Sequence, residues 1–154
     1  MAGILLLSNR VFSNLTSAGA KFQAGPACPL HKSRVLVVDD EKSLTALVAM
    51  LLEQHGSYIV RVENSAANAL AAAQQFHPDL ILMDIAMPDL DGGQVVGLIR
   101  ADPALNSIPV VFLTATVTHL EVKQNGGCIG GLRFLAKPFR SDELMDCIAQ
   151  QLAE

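Results

Sequence analysis

Val35-Leu36-Val37-Val38 and Leu80-Ile81-Leu82-Met83 are apolar at every position, and an aspartate follows each run. A strand exposed on one face alternates apolar and polar residues. An unbroken apolar run bounded by turn residues is instead a strand buried on both faces, the habit of parallel sheets covered by helices. Val110-Val111-Phe112-Leu113 ends in the same way at Thr114. Tyr58-Ile59-Val60-Arg61-Val62 reads as the second strand in chain order, and Arg133-Phe134-Leu135-Ala136 as a short fifth leading into Lys137-Pro138.

Helical spacing fills the intervals. Leu44, Leu47, Val48, Leu51 and Leu52 recur on one face, and Gly56 supplies a C-terminal stop. Ser65 is placed to N-cap a helix that turns Ala66, Ala69, Leu70, Ala73 and Phe76 inward. That helix ends before His77-Pro78, since the residue before proline avoids the helical region. A third helix is expected around residues 94–100, closed by Asp102-Pro103, and a short fourth over residues 120–124. The last opens at Ser141, with Asp142 and Glu143 at its positive end and Leu144, Met145, Ile148 and Leu152 on its apolar face. Five strands alternating with five helices predict an α/β fold with a doubly wound, five-stranded parallel sheet. Right-handed crossovers favour the flavodoxin-like strand order 2-1-3-4-5.

The 154 residues suit one domain, and a 51% apolar share against 17% charged provides a packed core. A net charge of −4 gives no basic footprint for nucleic acid. No stretch approaches the roughly 20 apolar residues that cross a bilayer. Cys28, Cys128 and Cys147 are odd in number and lack Cys-x-x-Cys spacing, as expected of free thiols in a reducing cytoplasm. His31, His55, His77 and His119 show no ligand spacing.

Residues 1–33 contain no Asp or Glu, and Gly25-Pro26-Ala27-Cys28-Pro29 reads as irregular linker. They are expected to form a flexible N-terminal extension, with the folded domain over residues 34–154. The low-acid, Ser-bearing composition also suits an organellar transit peptide, but helical periodicity is poor.

In a parallel sheet the carboxyl ends of the strands share one edge, where ligands bind. Strand one delivers Asp39 and Asp40 there, strand three Asp84, strand four Thr114 and strand five Lys137. Any one aspartate alone could be a cap or a turn residue. Three converging carboxylates need a counter-charge. Mg2+ supplies it, taking carboxylates together with phosphate oxygens. A carboxylate facing a phosphoryl group can act as nucleophile, while an amine and a hydroxyl bind the phosphoryl oxygens. Glu41 reads as a first-turn residue favoured by the helix dipole, Asp89 and Asp91 as turn formers, and Gly92 as serving backbone geometry.

Four segments in this order, Val35-Leu36-Val37-Val38-Asp39-Asp40-Glu41, Asp84-Ile85-Ala86-Met87-Pro88-Asp89-Leu90-Asp91-Gly92, Leu113-Thr114-Ala115 and Lys137-Pro138-Phe139, resemble the receiver domain of bacterial two-component response regulators. The resemblance covers about residues 34–154 and extends to stand-alone, chemotaxis-type receivers. It implies that Asp84 is the phospho-acceptor and that Asp39, Asp40, Asp84 and the Ala86 carbonyl hold Mg2+. It implies that Thr114 is the switch hydroxyl, that Lys137 pairs with the phosphoryl group, and that Phe134 is the aromatic switch. It further implies a cis peptide before Pro138. The implied partners are a histidine kinase or phosphotransfer protein and a downstream protein target. The chain would catalyse only its own phosphorylation and dephosphorylation, and would reside in the cytoplasm.

Two other readings stay open. A Mg2+-dependent phosphatase with an aspartyl-phosphate intermediate usually places two aspartates two apart after strand one, whereas Asp39 and Asp40 are adjacent and residue 41 is Glu. A phosphorylation-independent interaction module would not need the intact strand-end set. Residues 117–131, with four glycines and no strong apolar stripe, depart most from the family pattern.

Overall fold

The computed structural model describes residues 32–88, 90–116, 127–129 and 131–153. Its elements in chain order are β1 (Ser33–Val38), α1 (Lys42–His55), β2 (Tyr58–Glu63), α2 (Ala66–Phe76), β3 (Leu80–Asp84), α3 (Gly92–Ala101), β4 (Val110–Thr114), β5 (Cys128–Ile129), β6 (Leu132–Ala136) and α4 (Ser141–Ala153). The sheet runs β2-β1-β3-β4-β6-β5. Its first five members are parallel and follow the expected order. The expected count of five is corrected by β5, a two-residue antiparallel strand that pairs Cys128 with Arg133 and Ile129 with Leu132. The chain turns back at Gly131, whose φ of 81° suits a residue without a Cβ. The helix expected over 120–124 lies outside the described residues, which contain four helices.

Alternation along each strand divides the core. Leu36, Val38, Ile81, Met83 and Phe112 face α2 and α3. Val35, Val37, Leu80, Leu82, Val111 and Leu113 face α1 and α4. Both faces are covered, so β3 and β4 are buried throughout. Truncating a side chain such as Leu82 to alanine would cost about 2–5 kcal/mol.

Helix ends are set by local chemistry. Gly56, at φ 82°, closes α1, its backbone N–H donating to the Glu53 carbonyl. His77 closes α2 in the same left-handed region at φ 48°. Ser65 occupies the N-cap of α2 without a hydroxyl bond. The Asp91 carboxylate caps α3 by accepting from the Gln94 N–H at 2.8 Å. Before α4 the Arg140 carbonyl accepts from the Leu144 N–H, and the Glu143 carboxylate accepts from the Arg140 N–H at 3.1 Å. This is half of a capping box around Arg140, and the helix itself opens at Ser141 as expected. On α1 the buried stripe is Thr45, Val48 and Leu52, while Leu47, expected inward, is 47% exposed.

Strand order reverses between β1 and β3, one neighbour leading to β2 and the other to β4. The crevice beyond their carboxyl ends is where such sheets bind ligands.

Candidate functional site

Asp39 is the first residue after β1, and Asp84 is the last of β3. Both are buried, at 1% and 5% exposure. The Lys137 ammonium, just past β6, donates to Asp39 Oδ2 and to Asp84 Oδ1, each at 2.6 Å. Burial works against that ammonium, but its hydrogen bonds to Asp39 and Asp84 and their negative charge outweigh burial. They hold its pKa above the ordinary lysine value.

Asp40 is exposed beside them. Ligand oxygens of Asp39, Asp40 and Asp84 lie within 4.8 Å of one another. One ammonium therefore faces three carboxylates, and negative charge is left uncompensated among the described residues. Hard oxygen donors, one at the surface and two held in place, are a donor set that suits Mg2+. Ala86, two residues beyond Asp84, is exposed at the same edge.

Thr114 ends β4 and is 2% exposed. Its hydroxyl oxygen accepts from the Thr116 N–H at 3.0 Å, and a hydroxyl that accepts one bond keeps a proton to donate. The Lys137 N–H donates to the Thr114 carbonyl at 2.7 Å, tying the amine to the hydroxyl's strand. The Lys137–Pro138 peptide is cis, as the resemblance implied.

The structure thus brings Asp39, Asp40, Asp84, Thr114 and Lys137 to one edge of the sheet. Phe134 stands apart, half-buried in β6 and stacked on Phe112 with ring centroids 5.4 Å apart. Glu41 is exposed at the N-cap of α1, its carboxylate accepting from the Ser43 hydroxyl. Asp89 lies outside the described residues. A cleft lined by Leu44, Leu47, Leu51, Pro138 and Phe139 opens beside Lys137.

Two further residues support the site: Gly92, expected to serve backbone geometry, and Asn64, which the sequence reading missed. Gly92 packs so closely on β3 that a Cβ there would lie 2.1 Å from the Asp84 carbonyl oxygen. Only glycine fits, and its N–H donates to the Ile85 carbonyl at 3.0 Å. Asn64, just past β2, donates its side-chain amide to the Asp39 carbonyl at 2.7 Å. The signal for Asn64 was its position, a polar residue at the carboxyl end of the one strand to which no site residue was assigned.

A family model for the response regulator receiver domain matches residues 35–149. The chain belongs to this family. It is 35% identical over 115 residues to Protein PilG of Pseudomonas aeruginosa, covering 75% of this receiver and 84% of PilG. Among solved structures it resembles the Vibrio cholerae chemotaxis protein CheY4 at 31% identity and a TM-score of 0.67, covering 78% of this chain and 98% of that one. The receiver domain of the sensor histidine kinase PA1611 from P. aeruginosa, described with a magnesium ion in its active-site cleft, matches with a TM-score of 0.67 at 26% identity. That match covers 80% of this receiver and 99% of the PA1611 domain. Among the described residues, no helix of the receiver is long and apolar enough to cross a membrane.

Proposed function

We propose that Asp84 is the phospho-acceptor of this receiver and that its phosphorylation controls partner binding or onward phosphotransfer. The observation that carries the reading is the Lys137 ammonium bonded at once to Asp39 and Asp84 in a buried, carboxylate-rich crevice. An Asp84 oxygen attacks the phosphorus of a phosphohistidine on a kinase or phosphotransfer protein. The new O–P bond forms as the N–P bond breaks, and the histidine nitrogen leaves with the electron pair.

Asp39, Asp40, Asp84 and the Ala86 carbonyl would hold Mg2+. When bound, that ion supplies positive charge to the carboxylates and to the phosphoryl oxygens. Lys137 stays protonated and turns from a carboxylate to a phosphoryl oxygen as Asp84 becomes an acyl phosphate. Thr114 donates its hydroxyl proton to another phosphoryl oxygen, which draws the β4 end inward. Phe134 follows by leaving its place on Phe112. Ala86 and Thr116 flank the site, and their sizes tune the access of water to the acyl phosphate. The chain catalyses only its own phosphorylation and the hydrolysis that reverses it. The apolar cleft beside Lys137 is a suitable seat for the phosphodonor's helices, and the downstream target is a protein. We assign the receiver to residues 34–154, with residues 1–33 as an extension, and place it in the cytoplasm.

The test is beryllofluoride or acetyl phosphate with Mg2+, read by NMR shifts and by mass. The wild type should respond at one-to-one stoichiometry, and Asp84→Asn should not. A response that survives Asp84→Asn overturns the assignment.

A further inference from the structure

We infer that Asn64 is a positioning residue for the carboxylate cluster, fixing the turn that carries Asp39 and Asp40; this rests on the reading of that cluster as a Mg2+ site. Asn64 follows β2 directly and is half-buried. Its amide nitrogen donates to the Asp39 carbonyl at 2.7 Å and to the Thr45 hydroxyl oxygen at 2.9 Å. Thr45 is 1% exposed in the first turns of α1, and its own proton goes to the Lys42 carbonyl at 3.1 Å. The orientation of the amide follows from its partners. A carbonyl can only accept, and the Thr45 oxygen, its proton already engaged, must accept too. Both amide protons are therefore used.

One side chain thus joins the end of β2, the turn after β1 and the start of α1. The carbonyl it holds belongs to the peptide that links Asp39 to Asp40. Asp39 is fixed independently, by its N–H to the Glu63 carbonyl, by the Glu41 N–H to its Oδ1 and by Lys137. Asp40 is exposed, so the direction of its carboxylate is set by the backbone rather than by burial. Rotating the Asp39–Asp40 peptide would swing Asp40 relative to the other two carboxylates. Asn64 opposes that rotation and so holds the donor set together before any cation arrives.

The test is calorimetric titration of Mg2+ into the unphosphorylated full chain, with melting temperatures recorded in EDTA. Asn64→Ala should weaken binding about tenfold or more, the usual range when a group that orients a ligand is lost. Asp79→Ala, which loosens the opposite edge of the sheet, should lower the melting temperature yet bind Mg2+ like the wild type. Affinity within about twofold of wild type in Asn64→Ala overturns the inference. An equal loss in Asp79→Ala also overturns it, because affinity would then follow stability. A wild type that binds no Mg2+ removes the reading beneath the inference, a failure distinct from either. Should Asn64→Ala not fold, Thr45→Val removes only the hydroxyl that steadies the amide. It should weaken binding by a smaller factor, and unchanged affinity there overturns the inference.

Discussion

Where the strands begin, one cation meets one carboxylate; where they end, one cation bonds two of three clustered carboxylates. At the first edge the Arg34 N–H donates to Asp79 Oδ2 at 2.7 Å, and its guanidinium reaches the Phe76 carbonyl at 3.0 Å. Both side chains of that pair are about a third exposed, so charge is balanced and water screens the rest. At the second edge Asp39 and Asp84 are buried and, among the described residues, Lys137 is the cation that compensates them. A charge-balanced pair calls for no further cation, even though the Arg34 Nε, 3.8 Å from Asp79 Oδ2, is buried without a hydrogen-bond partner. An unbalanced, buried one is stable only with its lysine in place and is improved by a cation. The two edges can be challenged separately, since they lie at opposite ends of the same strands.

The largest effect is expected from Lys137→Ala. Without the ammonium, two buried carboxylates lose their partner, which typically costs about 3–5 kcal/mol. Urea unfolding in EDTA should show this loss. Mg2+ should then restore stability more in the variant than in the wild type, because a cation replaces a cation. If Mg2+ stabilises both equally, the charge account of this edge is wrong. The pH dependence has a definite sign. The folded pKa of Lys137 is raised, so its contribution is complete below the unfolded value of 10.5 and is lost as pH rises through the folded value. The gap between wild type and Lys137→Ala should stay level from neutral pH to about 10 and close above it.

Gly92→Ala comes next. A Cβ at 2.1 Å from the Asp84 carbonyl oxygen must displace backbone, not a flexible side-chain tip. Overpacking of this kind costs about 1–3 kcal/mol. Asp84 should lose beryllofluoride binding by more than the stability loss alone explains. Gly97→Ala serves as the control, since its Cβ would meet nothing within 4 Å.

The edge that gathers the carboxylates was more legible in the sequence than the supports beneath it. Asp39, Asp84 and Thr114 could be read because each ends an unbroken apolar run of strand length, and Lys137 because it follows a short strand into a proline; parallel strands bring their ends together. Asn64 could not be read in this way. β2 is an edge strand that already carries Arg61, bonded to the exposed Gln75 side chain, so the polar residues at its end stand out less than an aspartate after an unbroken apolar run. Gly92 could be read only as a residue serving backbone geometry, because a sequence records that a Cβ is missing, but not what would occupy its space. The strand β5 was hidden for another reason. Two residues between glycines carry no period, and only pairing with β6 defines them. Leu47 kept the helical spacing of α1 yet is exposed, where it lines the cleft beside Lys137.

Asp40→Asn should give the smallest effect, and one of opposite sign. Asp40 is the exposed member of the three, so the fold gains nothing from its charge and suffers its repulsion by Asp39 and Asp84. Neutralising it should raise the melting temperature slightly in EDTA. The same change removes one of the oxygens offered to Mg2+, so affinity for the cation should fall. No variant at the balanced edge can produce that pair of opposed shifts, because removing Asp79 only removes bonds that Arg34 makes. Melting curves in EDTA and in saturating Mg2+ measure both shifts on one sample. If Asp40→Asn destabilises the EDTA form, Asp40 is bonded into the fold and the excess negative charge is not the feature that distinguishes this edge.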